Sequence, residues 1–163
     1  MYLNETDTRM FRHGAQGYGV EVYGGTPEQR RAAFEIQFDE PTVFVDAREM
    51  DAAEDLFKTV LLAVTDRDEE AIENRPSWAG WDLQRPLEET DTNLVILEFD
   101  SLPSDARTNV AQHMKALAES LRVDEVKLGF TSEEGGSVVH AEPDLRMRVK
   151  SWEIESEVVH GEL

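Results

Sequence analysis

Two acids separated by one residue close the most hydrophobic run of this 163-residue chain. In "NLVILEFDSLP", residues 93–103, Glu98 and Asp100 follow Leu94, Val95, Ile96 and Leu97. Alternation along a strand would place both carboxylates on one face. Two carboxylates there are the hard oxygen ligands that a cation such as Mg²⁺ takes. The plainer reading is that acids at the carboxyl end of a strand meet solvent or cap the next helix.

A second stretch bears on phosphate chemistry. "VEVYGGTPEQRRAAFEI", residues 20–36, runs from alternating apolar residues through Gly24-Gly25 into a helix pattern. A phosphate-binding loop between a strand and a helix needs G-x-x-x-x-G-K-[ST], in which N–H groups cradle phosphate and Lys neutralises it. No Lys follows the glycines, and Arg30-Arg31 falls on the second helical turn. Pro27 removes a donor, and Glu28 places negative charge where a phosphate would be welcome. Thr26 and Gln29 are spaced as a capping box that satisfies the helix end internally.

Other chemistries find less support. His13, His113, His140 and His160 lack zinc spacing, and no G-x-S-x-G elbow exists. "GAQGYG" is not a dinucleotide fingerprint. No catalytic residue and no cofactor is assigned. Trp78 and Trp81 are bracketed by Arg75-Pro76 and Arg85-Pro86. Trp and Arg are enriched where partners dock, so Trp78, Trp81, Arg75 and Arg85 form a candidate partner surface; the alternative is that the tryptophans cover the core. Arg146 and Arg148, read on one face of a strand, are the candidate anion site if the protein is instead an enzyme.

The elements that must position these groups are set by composition and pattern. Hydrophobic content of 40% suits one globular domain with a real core. Asp and Glu number 35 against 16 Lys and Arg, a formal charge of −19 spread along the chain. Scarce Lys, no Cys and distributed acids resemble proteins of salt-loving archaea, where concentrated salt screens the repulsion. Nucleic-acid affinity comes largely from Lys and Arg, so general nucleic-acid binding is not expected, nor is nucleotide. A protein partner or self-association is. Without a membrane-span pattern or a secretory signal, the expected location is cytoplasmic.

Residues 1–16 read as a flexible arm, and 17–163 as one α/β domain. "GYGVEVYG" predicts a short strand with one buried face. A helix follows from Pro27, a strand at 41–47, and a helix whose stripe is Met50, Ala53, Phe57, Val60, Leu61 and Val64. Residues 66–92 read as a long loop or insertion, with a helical turn near Glu69–Glu73. Strands at 93–99 and 125–130 flank a helix at 104–121, and "LRMRVKSWEIE" closes with a strand. The alternation predicts a three-layer domain: a mostly parallel sheet of about five strands with helices on its faces.

In this order the segments resemble the core of an AAA+-type P-loop ATPase, especially archaeal replication-initiator relatives. "VEVYGGTPEQRRAAF" is similar to their strand–loop–helix, and "PTVFVDAREMDAAEDLFKTVLLAV" to the next strand and helix. "NLVILEFDSLP" is similar to the Walker B segment, "EVKLGFTSEEGG" to the sensor-1 strand, and "LRMRVKSWEIE" to the closing strand. The likeness covers residues 18–155. It departs in lacking the Walker A lysine and hydroxyl, in a displaced Walker B pair, and in having no helical lid domain. The resemblance implies a P-loop-like fold whose catalysis is lost. "LVILEFDSLPSDARTNVAQHMKALAESL" also resembles STAS domains, with Ser101 and Ser104 as positional candidates for their serine. Both lead to a non-enzymatic regulatory or interaction module; the alternative is a small nucleotide- or Mg-binding enzyme using Glu98 and Asp100.

Overall fold

Five strands of five residues each form a single parallel sheet: β1 (Gly19–Tyr23), β2 (Thr42–Asp46), β3 (Asn93–Leu97), β4 (Leu128–Ser132) and β5 (Val149–Glu153). The computed structural model describes residues 19–64, 80–121, 126–146 and 149–154, and of Trp81 only the backbone. The arm at 1–16 and the turn near Glu69–Glu73 lie outside the described residues. The strand order is β2-β3-β4-β1-β5. Two strands thus separate β1 from β2, which favours the P-loop-like arrangement over the STAS-like one.

Helix α1 (Pro27–Gln37) starts as its sequence dictates. Thr26 Oγ1 accepts the N–H of Gln29, and the Gln29 side chain accepts the N–H of Thr26. The stripe after β2 becomes α2 (Ala53–Val64), with Leu56, Phe57, Val60 and Leu61 buried. Within the segment read as a loop at 66–92, Gly80–Leu83 is a 3₁₀ turn and Gln84–Glu89 a short helix, α3. Leu83 and Leu87 are fully buried there; two leucines one turn apart were too few to show a stripe amid acids. Next come α4 (Ser104–Ser120) and a one-turn helix, α5 (Ser137–Ala141), which the sequence reading did not include.

Strand alternation divides the core in two. Val20, Val22, Val95 and Leu97 face Ala33, Phe34 and Phe38 of α1 and its cap. Val45, Leu94, Ile96, Leu128, Phe130 and Val149 face α2, α3, α4 and α5. β1 is therefore covered on both faces rather than one. Its Glu21 is fully buried, and parallel strands covered on both sides are the rule when helices flank them. The Glu21 carboxylate accepts the N–H groups of Gly136 (2.7 Å) and Val138 (3.3 Å) at the start of α5, and the Ser151 hydroxyl (3.2 Å). On the other face Gly129 lies under the Phe34 ring, where a Cβ would come within 2.4 Å of it.

Candidate functional site

The carboxyl ends of β1 and β3 open on a cleft of about 360 Å³, lined by Gly25, Pro27, Arg30, Arg48, Glu98, Asp100, Ser101 and Glu133. In open α/β sheets ligands settle outside the carboxyl ends of the strands, where the winding reverses. Here the reversal lies at β1, whose helix covers the face opposite to α2–α5.

The floor of the cleft is a buried ion pair. Arg30 Nε donates to Glu98 Oε2 at 3.0 Å, and Nη2 donates to Oε1. Arg30 Nη1 turns back to the carbonyl oxygens of Gly24 (2.9 Å) and Gly25 (3.0 Å). Gly24 and Gly25 have φ of 82° and 63°, the left-handed region that favours glycine. The loop thus presents carbonyl oxygens, not N–H groups, to the side chain it encloses. That arrangement coordinates a cation, and the cation is Arg30, only 3% exposed. The sequence placed Arg30 too far along the helix to serve the loop. It reaches back because its long side chain folds toward the helix N-terminus, as helical side chains do.

Glu98 and Asp100 do not stand side by side on a strand, as the alternation suggested. β3 ends at Leu97; Glu98 adopts φ 56°, ψ 50°, and Phe99–Ser101 is a 3₁₀ turn. Both carboxylates still line the same cleft, but each is engaged. Glu98 Oε2 also accepts the Thr131 hydroxyl at 2.7 Å. Burial pushes the Glu98 carboxyl up, but the hydrogen bonds from Arg30 and Thr131 and the charges of Arg30 and Arg48 together hold it below the usual range. Asp100 Oδ2 accepts the N–H groups of Glu133 (2.9 Å) and Glu134 (3.2 Å), tying the β3 turn to the β4 loop. Among the described residues no group of three or more His, Asp or Glu could hold a metal ion.

At the mouth stands Arg48, roughly half exposed, from the turn after β2. Its guanidinium forks onto Asp46, with Nη2 to Oδ2 at 2.8 Å and Nε to Oδ1 at 3.0 Å. The Arg48 side-chain hydrogen bonds lower the Asp46 pKa against a smaller opposing effect of burial. These two residues belong to the "VDAR" stretch.

The remaining sequence candidates lie apart. Trp78, Arg75 and Arg148 are outside the described residues, and Trp81 has its backbone in the 3₁₀ turn before α3. Arg85 is exposed on α3 and pairs with Glu89 one turn on. Arg146 is not on a strand: it ends the Pro143–Leu145 turn, three residues before β5 begins. His113 lies in α4, where burial lowers its pKa despite the charges of Glu54 and Asp82. Arg30 and Thr131 were missed as site residues. The usable signal for both was Glu98 itself, since an acid closing a buried strand needs a cation and a donor.

No family model matches the chain, and no curated protein sequence matches it. Solved structures do. An Aeropyrum pernix Orc1 in complex with DNA superposes with a TM-score of 0.54 at 16% identity, over 94% of this chain and 45% of that one. Drosophila ORC bound to GC-rich DNA and Cdc6 gives 0.56 at 11% identity, over 89% and 51%. The complex with AT-rich DNA and Cdc6 gives 0.57 at 12% identity, over 91% and 54%. The chain spans about half the length of these proteins and shares their α/β fold. The expectation of no general nucleic-acid binding is overturned by these neighbours, which are solved in complex with DNA. Net charge is a property of the whole surface, whereas association is decided by local contacts. No described helix is long and apolar enough to cross a membrane.

Proposed function

We propose that this chain is a non-catalytic regulatory and interaction module of a halophilic archaeon, cytoplasmic, working in a DNA-associated assembly on its AAA+-like scaffold. The observation that carries the reading is the Arg30–Glu98 pair. It fills the end of the loop after β1, which turns carbonyl oxygens rather than phosphate-cradling N–H groups inward, and it engages the guanidinium that could neutralise a phosphate. The DNA-bound fold neighbours support the setting, and the −19 charge supports a salt-rich interior. The partner-facing surface is the segment carrying Arg75, Trp78, Trp81 and Arg85.

Two measurements test this. The purified chain in molar KCl should turn over no ATP, with or without duplex DNA; sustained, Mg-dependent hydrolysis would sink the non-catalytic reading. Trp78→Ala and Trp81→Ala should release a partner recovered with DNA while leaving the melting temperature nearly unchanged. A strong fall in melting temperature would instead make the tryptophans core residues.

A further inference from the structure

We propose that the Arg30–Glu98 pair is an autoinhibitory latch, in which Glu98 keeps the anion-binding guanidinium of the cleft engaged and a phosphate-class oxyanion binds only when Arg30 is released. The proposal rests on reading the cleft as regulatory rather than catalytic.

A guanidinium fork fits a carboxylate and a phosphate equally well, because both offer two oxygens in one plane. The same Arg30 nitrogens that meet Glu98 are thus the ones an oxyanion in the cleft would seek. The cleft adjoins the pair directly, since Arg30 and Glu98 both line it. A second guanidinium, Arg48, stands at its mouth and is likewise held by a carboxylate, that of Asp46. Two arginines each forked onto an acid around one cavity leave an anion with well-placed but occupied donors.

The latch is anchored yet strained. Thr131 fixes the Glu98 carboxylate from β4. Glu98 itself sits at φ 56°, a region that costs a non-glycine residue energy and persists only where the surroundings hold it. Asp100 and Glu133, which face the same cavity, would repel a bare anion. A magnesium ion accompanying the phosphate answers that repulsion, which sets the choice of probe.

The test is an isothermal titration of magnesium pyrophosphate into the full chain at fixed molar KCl. Glu98→Gln keeps the shape of the side chain and removes its charge, leaving Arg30 buried without a counter-ion. It should bind pyrophosphate at least tenfold tighter than wild type, and Arg30→Met added to it should abolish the gain. Equal affinity in wild type and Glu98→Gln, or no binding by either, overturns the latch. Should Glu98→Gln not fold, Glu98→Asp, which draws the carboxylate out of Arg30's reach, and Thr131→Val carry the same comparison, and unchanged affinity in both overturns it. ATP turnover by wild type would sink the non-catalytic reading while leaving this comparison legible.

Discussion

Glu98 and Thr131 bind each other twice across β3 and β4: the Glu98 N–H donates to Thr131 Oγ1 at 2.7 Å, and the Thr131 hydroxyl donates back to the Glu98 carboxylate at 2.7 Å. One hydroxyl thereby fixes both the backbone and the side chain of the residue that holds Arg30. Thr131→Val removes both bonds and leaves a buried N–H unsatisfied, at a cost of about 2–3 kcal/mol. Thr131→Ser should recover most of it. Urea unfolding at constant KCl reads the difference, and a Val variant as stable as wild type would refute the role.

Removing either partner of the buried pair leaves the other charge without compensation. Arg30→Met is expected to cost about 3–5 kcal/mol, whereas Arg30→Met with Glu98→Leu should recover a large share of it. A double-mutant cycle on unfolding free energies measures this. Simple additivity of the two losses would show that the groups do not act as a pair.

Acid should weaken the brace in a defined window. The folded-state pKa of Glu98 is depressed, so its contribution is complete above the unfolded value of about 4.3 and fades as pH falls through the folded value. The stability gap between wild type and Glu98→Gln should therefore be constant near pH 6 and shrink below about pH 4. Urea midpoints for both proteins across that range check it; a gap that widens on acidification would reverse the sign.

Close approach fixes two glycines for steric reasons alone. A Cβ on Gly80 would lie 1.7 Å from the carbonyl oxygen of His113 in α4, and one on Gly129 would lie 2.4 Å from the Phe34 ring. Overpacking costs about 1–3 kcal/mol where side chains can yield. Gly129→Ala should fall in that range. Gly80→Ala should lose more, because backbone must move. Melting temperatures in one buffer rank the two.

Salt dependence follows from charge. With a formal −19, the folded chain repels itself, and screening relieves that repulsion. The melting temperature should rise steadily from 0.1 M (Debye length about 10 Å) to molar KCl. A flat response would remove the halophilic reading.

Much of the fold was legible because it is written locally. The Thr26–Gln29 box, Pro27 and the stripe of α2 each depend on neighbours within a turn or two. α3 and α5 were not, being only six and five residues long. β4 is displaced toward its polar end, since Thr131 and Ser132 are buried there by hydrogen bonding rather than by apolar character. The cleft was half legible. Glu98 and Asp100 stood out as acids closing an aliphatic run. Arg30 did not, because its partner is 68 positions away and long-range pairing leaves no periodic mark.

The one-helix face of the sheet gives the brace mechanical reach. Among the described residues, α1 alone supplies the helical side of that smaller core, and Arg30 sits one turn ahead of Phe34 and two ahead of Phe38. Any force that withdraws Arg30 from the loop acts on a lever whose far arm rests on Val95 and Leu97. The residue that holds the loop after β1 and the residues that close the smaller core thus lie on one helix, within two turns of each other.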